Sequence, residues 1–264
     1  MFRLTFALFL VFLVPFAVTS QTSQNQPPNQ AQGEDGGSRQ VLESIVIPPK
    51  LNAPFTAILH TEWIRSLPGS GTMTVENNRR IARDSSGRIY QERWILVPKN
   101  GKYKSQMNAI QISNPIEHIA YTCMMDDKKI CRPVTYTSSA SSVNNIYGIQ
   151  GPPPGPLADH SSYSTREDLG HPTFVGVDTV GTKETVTVKP GTFGNDQEVI
   201  MSREYWYASE LGVNLVSKRS DPRSGTQEFT ITELNRAEPD GTLFELPQGF
   251  TVVDQRQSSA GGVD

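Results

Sequence analysis

The sequence predicts a mainly β protein built on one antiparallel sheet, with at most one or two short helices. Three observations carry that prediction. Short runs alternating apolar and polar residues recur from Phe55 to Leu234, clusters of Gly, Pro, Asn and Asp separate them, and no amphipathic helical pattern of about 12 residues or more interrupts them. With 264 residues, 21 of them Gly and 19 Pro, the chain accommodates one β-rich domain of about 215 residues flanked by tails.

The N-terminus reads as an export signal over residues 1–20. Arg3 supplies a positive charge, Leu4 to Val18 form an apolar run of about 15 residues, and Val18-Thr19-Ser20 ends it with small residues before Gln21. That run falls short of the ~20 residues a membrane-spanning helix needs, so cleavage after Ser20 is expected, an uncleaved anchor being the alternative. After cleavage no transmembrane span remains, and the expected location is periplasmic or secreted. Residues 21–40, rich in Gln, Asn, Pro, Gly and Ser, cannot bury enough apolar surface to offset ordering and read as a disordered linker. The domain is expected over 41–254, and residues 255–264 have the composition of a second disordered tail.

Within the domain, Phe55, Ala57, Leu59, Thr61 and Trp63 share one face of a strand. The next run sets Met73, Val75 and Ile81 against Thr72, Thr74, Glu76 and Asn78. The turn Asp84-Ser85-Ser86-Gly87 leads to Arg88–Val97, where Tyr90, Trp94 and Leu96 alternate with Gln91 and Arg93. Met107–Ser113 and Ile116–Cys123 form a further hairpin broken at Asn114-Pro115. Cys123 and Cys131, the only 2 cysteines, flank the polar turn Asp126-Asp127-Lys128-Lys129. Facing each other across antiparallel strands in an oxidising compartment they close a disulfide, two buried free thiols being the alternative. Gly148–Pro156 is too rich in proline and glycine for a helix or central strand. It is either a lid or partner-binding segment, or a plain surface connection between two halves of the sheet. Strand patterns resume at Phe174–Val180, Lys183–Lys189, Val199–Tyr207, Val213–Arg219 and Thr226–Leu234, and Ser161–Leu169 is short and either helical or extended. Leu243, Phe244 and Leu246 then form apolar plugs between turns at Asp240-Gly241 and Pro247-Gln248-Gly249.

The runs Glu204-Tyr205-Trp206-Tyr207-Ala208-Ser209-Glu210-Leu211-Gly212-Val213, Ser217–Gly225 and Glu238–Val252 resemble the ending of exported bacterial proteins of the outer-membrane lipoprotein carrier (LolA/LolB-like) superfamily. The resemblance covers roughly residues 160–254. It implies a curved sheet, an unclosed half-barrel whose concave apolar face holds acyl chains. The long N-terminal linker, the cysteine hairpin and the Pro-rich loop depart from that pattern, and no functional residue of the family is carried over.

The composition argues against a nucleic-acid partner, since 24 Lys and Arg are outnumbered by 27 Asp and Glu for a formal net charge of −3. No hydrolase elbow, phosphate loop, dinucleotide fingerprint, zinc-protease or CxxC motif occurs, so the chain reads as noncatalytic, with no cofactor and no metal site. His60 and Glu62, two apart on one strand face, are the nearest approach to an acid–base pair, and ordinary surface placement explains them better. The arginines Arg79, Arg80, Arg83, Arg88 and Arg93 gather on one hairpin, either to meet an acidic headgroup or partner or, as the composition favours, in cross-strand surface ion pairs. Trp63, Tyr90, Trp94, Tyr205, Trp206 and Tyr207 are the candidate ligand-binding residues, because a strand with aromatic side chains on both faces has one set to spare from the core. The expected ligand is a lipid, a lipoprotein acyl chain or another apolar molecule. The alternative is an envelope scaffold with a protein partner and no small ligand.

Overall fold

The computed structural model describes residues 40–41, 45–135, 153–157 and 160–254. The expected signal, most of the linker, the C-terminal tail and much of the Pro-rich segment lie outside the described residues. In chain order the strands are β1 (Gln40–Val41), β2 (Phe55–Ser66), β3 (Thr72–Arg83), β4 (Ile89–Lys99), β5 (Lys102–Asn114), β6 (Ile119–Met124) and β7 (Ile130–Thr135). They continue as β8 (Gly155–Pro156), β9 (Ser162–Asp168), β10 (Thr173–Phe174), β11 (Val177–Asp178), β12 (Val180–Val188), β13 (Val199–Ala208), β14 (Val213–Asp221) and β15 (Gly225–Asn235). A 3₁₀ turn, η1 (Gly241–Phe244), and β16 (Thr251–Val252) complete the described chain.

The protein is mainly β: one large curved sheet, not closed into a barrel, with a single short 3₁₀ helix among the described residues. Its order is β16-β7-β6-β5-β4-β3-β2-β15-β14-β13-β12-β9-β8, with β1 added to β4. Two meanders, β2 to β7 and β12 to β15, therefore meet at one antiparallel seam between β2 and β15. The sheet is not wholly antiparallel, because the terminal β16 lies parallel to β7. Ser161–Leu169 resolves as strand β9, and the run from Phe174 to Val180 is split by a turn at Val175-Gly176 into β10, β11 and the start of β12. Of the Pro-rich segment, Gly155–Pro156 forms a two-residue edge strand, where the missing proline donor costs no ladder bond. No described helix is long and apolar enough to cross a membrane.

The alternation in β2 works as its side chains require. Phe55, Ala57, Leu59 and Thr61 are buried, and their intervening neighbours are half-exposed. Phe55, Leu59, Ile81, Leu215, Phe229 and Ile231 form the main core on this inner face. Burying each large side chain contributes about 1.5–3 kcal/mol. The segment Ile45–Pro54 crosses the inner face as a strap, with Ile45 and Ile47 in the core, and Val177 and Leu211 cap it from the β11 hairpin and the β13–β14 turn.

Arg83 and Arg79 correct the expectation of surface ion pairs. Arg83 is fully buried at 0% exposure and Arg79 at 1%, both on the inner face of β3. Arg83 donates to the carbonyl oxygens of Ala53 (2.8 and 3.0 Å), Pro48 (2.9 Å) and Leu211 (2.5 Å), and its guanidinium lies 5.1 Å from the Phe55 ring. Burial pushes its pKa down to about 10, which still leaves it protonated at neutral pH. Arg79 donates to Thr61 Oγ1 at 2.9 Å. Of the remaining arginines of the hairpin, Arg80 is exposed, while Arg88 and Arg93 are half-buried: Arg88 pairs with the buried Asp84 at 2.6 Å and Arg93 donates to Gln111 at 2.6 Å.

On the opposite, outer face a smaller core of Ala82, Tyr90, Ile112 and Phe244 packs beneath η1. Asp240 caps η1 by accepting from the Thr242 amide at 3.0 Å. Glu238 accepts from the Ser85 amide at 3.1 Å and from its hydroxyl, tying this segment to the β3–β4 turn. Phe244 is the plug expected from the sequence, whereas Leu246 is 38% exposed and plugs nothing. Cys123 and Cys131 stand directly opposite each other on β6 and β7 and form a disulfide.

Candidate functional site

Register across the seam produces a site that local pattern does not announce. One transverse line of directly paired residues on the inner face runs Arg166 (β9), Glu184 (β12), Arg203 (β13), Arg219 (β14), Gln227 (β15) and Trp63 (β2). The adjoining line on the outer face runs Glu167, Lys183, Glu204, Lys218, Glu228 and Glu62 in the same strand order. Outside, opposite charges alternate from Glu167 to Glu228, with Lys183 to Glu204 at 3.4 Å and Lys218 to Glu228 at 3.2 Å, and the line ends on two glutamates, Glu228 and Glu62, directly opposite each other. Inside, two arginines stand side by side.

At the Trp63 end, this inner line opens into a cleft of about 400 Å³ lined by Trp63, Arg65, Arg219, Asp221, Ser224, Gly225 and Gln227. The Trp63 indole N–H donates to the Ser224 carbonyl at 2.9 Å, which fixes the ring, and the Arg65 guanidinium lies over it at 3.4 Å from the centroid. Gly225 shapes the wall: its φ is +91°, and a Cβ there would collide with the Ile64 carbonyl oxygen, so only glycine lets the β14–β15 turn approach β2 this closely. Asp221 is held by Arg223 through bonds of 2.9 and 2.7 Å, and that hydrogen bonding lowers its carboxyl pKa.

Further along the line, Glu184 accepts from Arg166 at 2.9 Å and from the Tyr205 hydroxyl at 3.0 Å. Burial, reinforced by Glu184, raises the Tyr205 pKa. Arg203 lies 4.8 Å from the Tyr205 ring. Its pKa is lowered first by burial and then by the neighbouring Arg219, against the opposing pull of Glu184 and Tyr205. Arg203 and Arg219 also line a narrow crevice beneath the strap with Ile45, Tyr207, Asn214 and Phe229, so Arg219 joins the crevice to the open cleft.

The six candidate aromatics do not share one groove. Trp63, Tyr205 and Tyr207 lie toward the inner face, Trp63 at its open end and the two tyrosines deeper. Tyr90 and Trp94 turn to the outer face, where both approach Glu92, the Trp94 indole donating at 3.1 Å. Trp206 is also on the outer face, with Lys218 6.0 Å from its ring and Phe174 packed edge-on at 5.8 Å. Gly181 makes room for it, since a Cβ at that position would meet the indole nitrogen at 2.6 Å. His60 and Glu62 share the outer face, and His60 Nδ1 meets Asn78 Oδ1 at 2.9 Å. Among the described residues no group of three or more His, Cys, Asp or Glu side chains is placed to hold a metal ion.

Arg65, Arg203 and Arg219 are the residues that sequence reasoning passed over. A bulge between Trp206 and Tyr207 explains why: it shifts the β13–β14 register, and without it Arg203 would face Lys218 instead of Arg219.

No family model and no curated protein matches this chain. Among solved structures it is similar to a chain of the Pseudomonas aeruginosa MucA/MucB complex, at 12% identity and a TM-score of 0.40, over 76% of this chain and 58% of that one. A DUF1329 family protein from Desulfovibrio piger overlays at 11% identity and a TM-score of 0.26, over 74% of this chain and 90% of that one. An outer-membrane lipoprotein-sorting protein domain from Vibrio parahaemolyticus does so at 7% identity and a TM-score of 0.24, over 73% and 89%. This chain thus spans less than two thirds of the MucB-complex chain it matches, and the likeness in every case is one of fold.

Proposed function

We propose that this protein is a noncatalytic, exported binding protein that holds a lipid or other partly apolar ligand in the cleft at the Trp63 end of its inner face. In this reading residues 1–20 direct export, 21–40 are a linker, 41–254 form one domain and 255–264 a tail, with the mature protein periplasmic or secreted. The Cys123–Cys131 disulfide supports an oxidising compartment.

The observation that carries the reading is the unequal filling of the inner face. One part is plugged by Ile45, Ile47, Val177 and Leu211, so that part has no room for an acyl chain. The cleft beside Trp63 is lined by strand and turn residues of the sheet alone. Trp63, fixed through its N–H and half-exposed, is the aromatic surface a ligand meets there, and Tyr205 and Tyr207 extend the same face inward.

The test is titration of the mature protein with the apolar fluorophore N-phenylnaphthylamine, alongside solvent extraction and mass spectrometry of protein recovered from the envelope. Saturable binding is expected, weakened about tenfold by Trp63→Ala, equivalent to about 1.4 kcal/mol. Absence of both saturable binding and co-purifying apolar material, with a defined protein crosslinked in the envelope, would replace this reading with that of a scaffold.

A further inference from the structure

We propose that the open edge of β3, from Thr72 to Asn78, is a strand-addition site for an extended, basic segment of a partner polypeptide. None of these residues lines the cleft beside Trp63, so the site is independent of the ligand proposed there.

The sheet forks between β3 and β4. Their ladder holds only Arg83↔Ile89, Ala82↔Tyr90 and Ile81↔Gln91, whereas β4 stays paired with β5 as far as Lys99 and β3 with β2 as far as Thr72. The Asp84 amide donates to the Arg88 carbonyl at 3.1 Å, which sets the even-numbered residues of β3 with their main-chain groups toward β4. Arg80, the next of them past the ladder, donates its amide to the Glu92 carboxylate at 3.0 Å instead. Beyond it Thr74, Glu76 and Asn78 turn both N–H and C=O into the fork, and among the described residues no strand pairs with them on that side. Groups of this kind are recognised by another extended backbone. The facing edge of β4 already takes one, since β1 pairs there with Leu96 and Ile95.

The sheet guards its other edges. β8 is two residues long and includes Pro156, and β7, which carries Pro133, is covered at Ile130 and Cys131 by β16. The stretch from Thr72 to Asn78 contains no proline and keeps regular register with β2, and Thr72, Thr74 and Val75 favour extended backbone. A regular, unguarded edge is the surface on which a partner segment adds a strand.

Charge selects the partner. In β3 the outer line of charges reaches Glu76, which stands directly opposite Glu62. Glu228 is paired with Lys218, but among the described residues no cation pairs with Glu62 or Glu76. Like charges directly opposite each other cost stability. A lysine or arginine at the next position of the line, on the added strand opposite the exposed Glu76, restores the alternation. On its other face that strand runs beside the half-buried Met73 and Val75, which suit apolar residues. The partner segment therefore alternates basic with apolar residues.

The test uses the mature protein and three acetylated, amidated peptides. One alternates lysine with valine, one has glutamate in place of lysine, and one is the lysine peptide N-methylated at its lysines, the residues set opposite Thr74, Glu76 and Asn78 in an antiparallel pairing. At low salt the lysine peptide is expected to bind saturably, at least about tenfold more tightly than the glutamate peptide, and to slow amide exchange at Thr74, Glu76 and Asn78. N-methylation is expected to abolish binding, and so is Thr74→Pro, which removes a donor facing the fork and no ladder bond to β2. E76K is expected to invert the preference in favour of the glutamate peptide. It leaves the backbone intact, so it reads out the site should Thr74→Pro fold poorly. A lysine peptide that does not bind, that binds no better than the glutamate peptide, that survives N-methylation, or that binds either variant as it binds the parent overturns the site.

Discussion

Arg83, on β3, donates a hydrogen bond to the carbonyl oxygen of Leu211, 128 residues later in the chain. The same guanidinium reaches the carbonyls of Ala53 and Pro48, so one buried cation fastens the strap and the β13–β14 turn to the sheet. Each of these acceptors is a backbone oxygen, which no substitution at position 83 removes.

Replacing Arg83 with Met should therefore destabilise the protein by about 2–5 kcal/mol, because three buried carbonyls lose their donor at about 1–3 kcal/mol each with partial relaxation. Arg83→Lys keeps the charge but not the fork, and should fall between. Urea denaturation midpoints read this directly. A Met variant as stable as the parent would mean that water takes over the three carbonyls and that the strap does not depend on the guanidinium.

The disulfide joins β6 to β7, and β7 is the strand on which the C-terminal β16 rests. Thr251 donates to the Lys129 carbonyl and Val253 to that of Cys131, both at 2.9 Å. Reduction, or the paired change C123S/C131S, should cost about 2–3 kcal/mol for so short a loop. It should also speed amide exchange at Thr251 and Val253 more than at the β2–β15 seam. Equal protection at those two amides with and without the disulfide would show that the ladder alone holds the terminus.

Most strands are legible in the sequence because a half-buried strand must alternate. Phe55 to Thr61 alternate as buried and half-exposed, and Cys123 meets Cys131 as the hairpin turn requires. What stays hidden depends on distant partners or on register. Arg83 looks like a surface charge because its partners are backbone carbonyls at positions 48, 53 and 211, which carry no side-chain signature. The β5 partners of Trp94 and Leu96 stay hidden, because the ladder shifts by one residue between Arg93 and Trp94. The Arg203–Arg219 pairing exists only through a one-residue bulge, and composition has no means of announcing a bulge.

Tyr90 makes the outer core sensitive to alkali. Its ring packs with Ala82, Ile112 and Phe244, and its pKa is pushed up to about 12, first by burial and then by Glu92, whose carboxylate accepts from the hydroxyl at 3.4 Å. In the unfolded chain the phenol titrates near 10. Between pH 10 and 12 the folded state thus retains a proton that the unfolded state has lost, so the stability Tyr90 contributes is full below pH 10 and is lost as pH rises toward 12. Tyr205, also raised by burial, adds a loss of the same sign. Denaturation midpoints at pH 9 and pH 11 should consequently fall further in the parent protein than in Tyr90→Phe, which keeps the packing and has no proton to lose. Because Phe244 rests on this ring, the alkaline loss should show first as exposure of η1, detectable by amide exchange or proteolysis near Gly241–Phe244. An identical pH dependence in the two proteins would place the titrating group elsewhere.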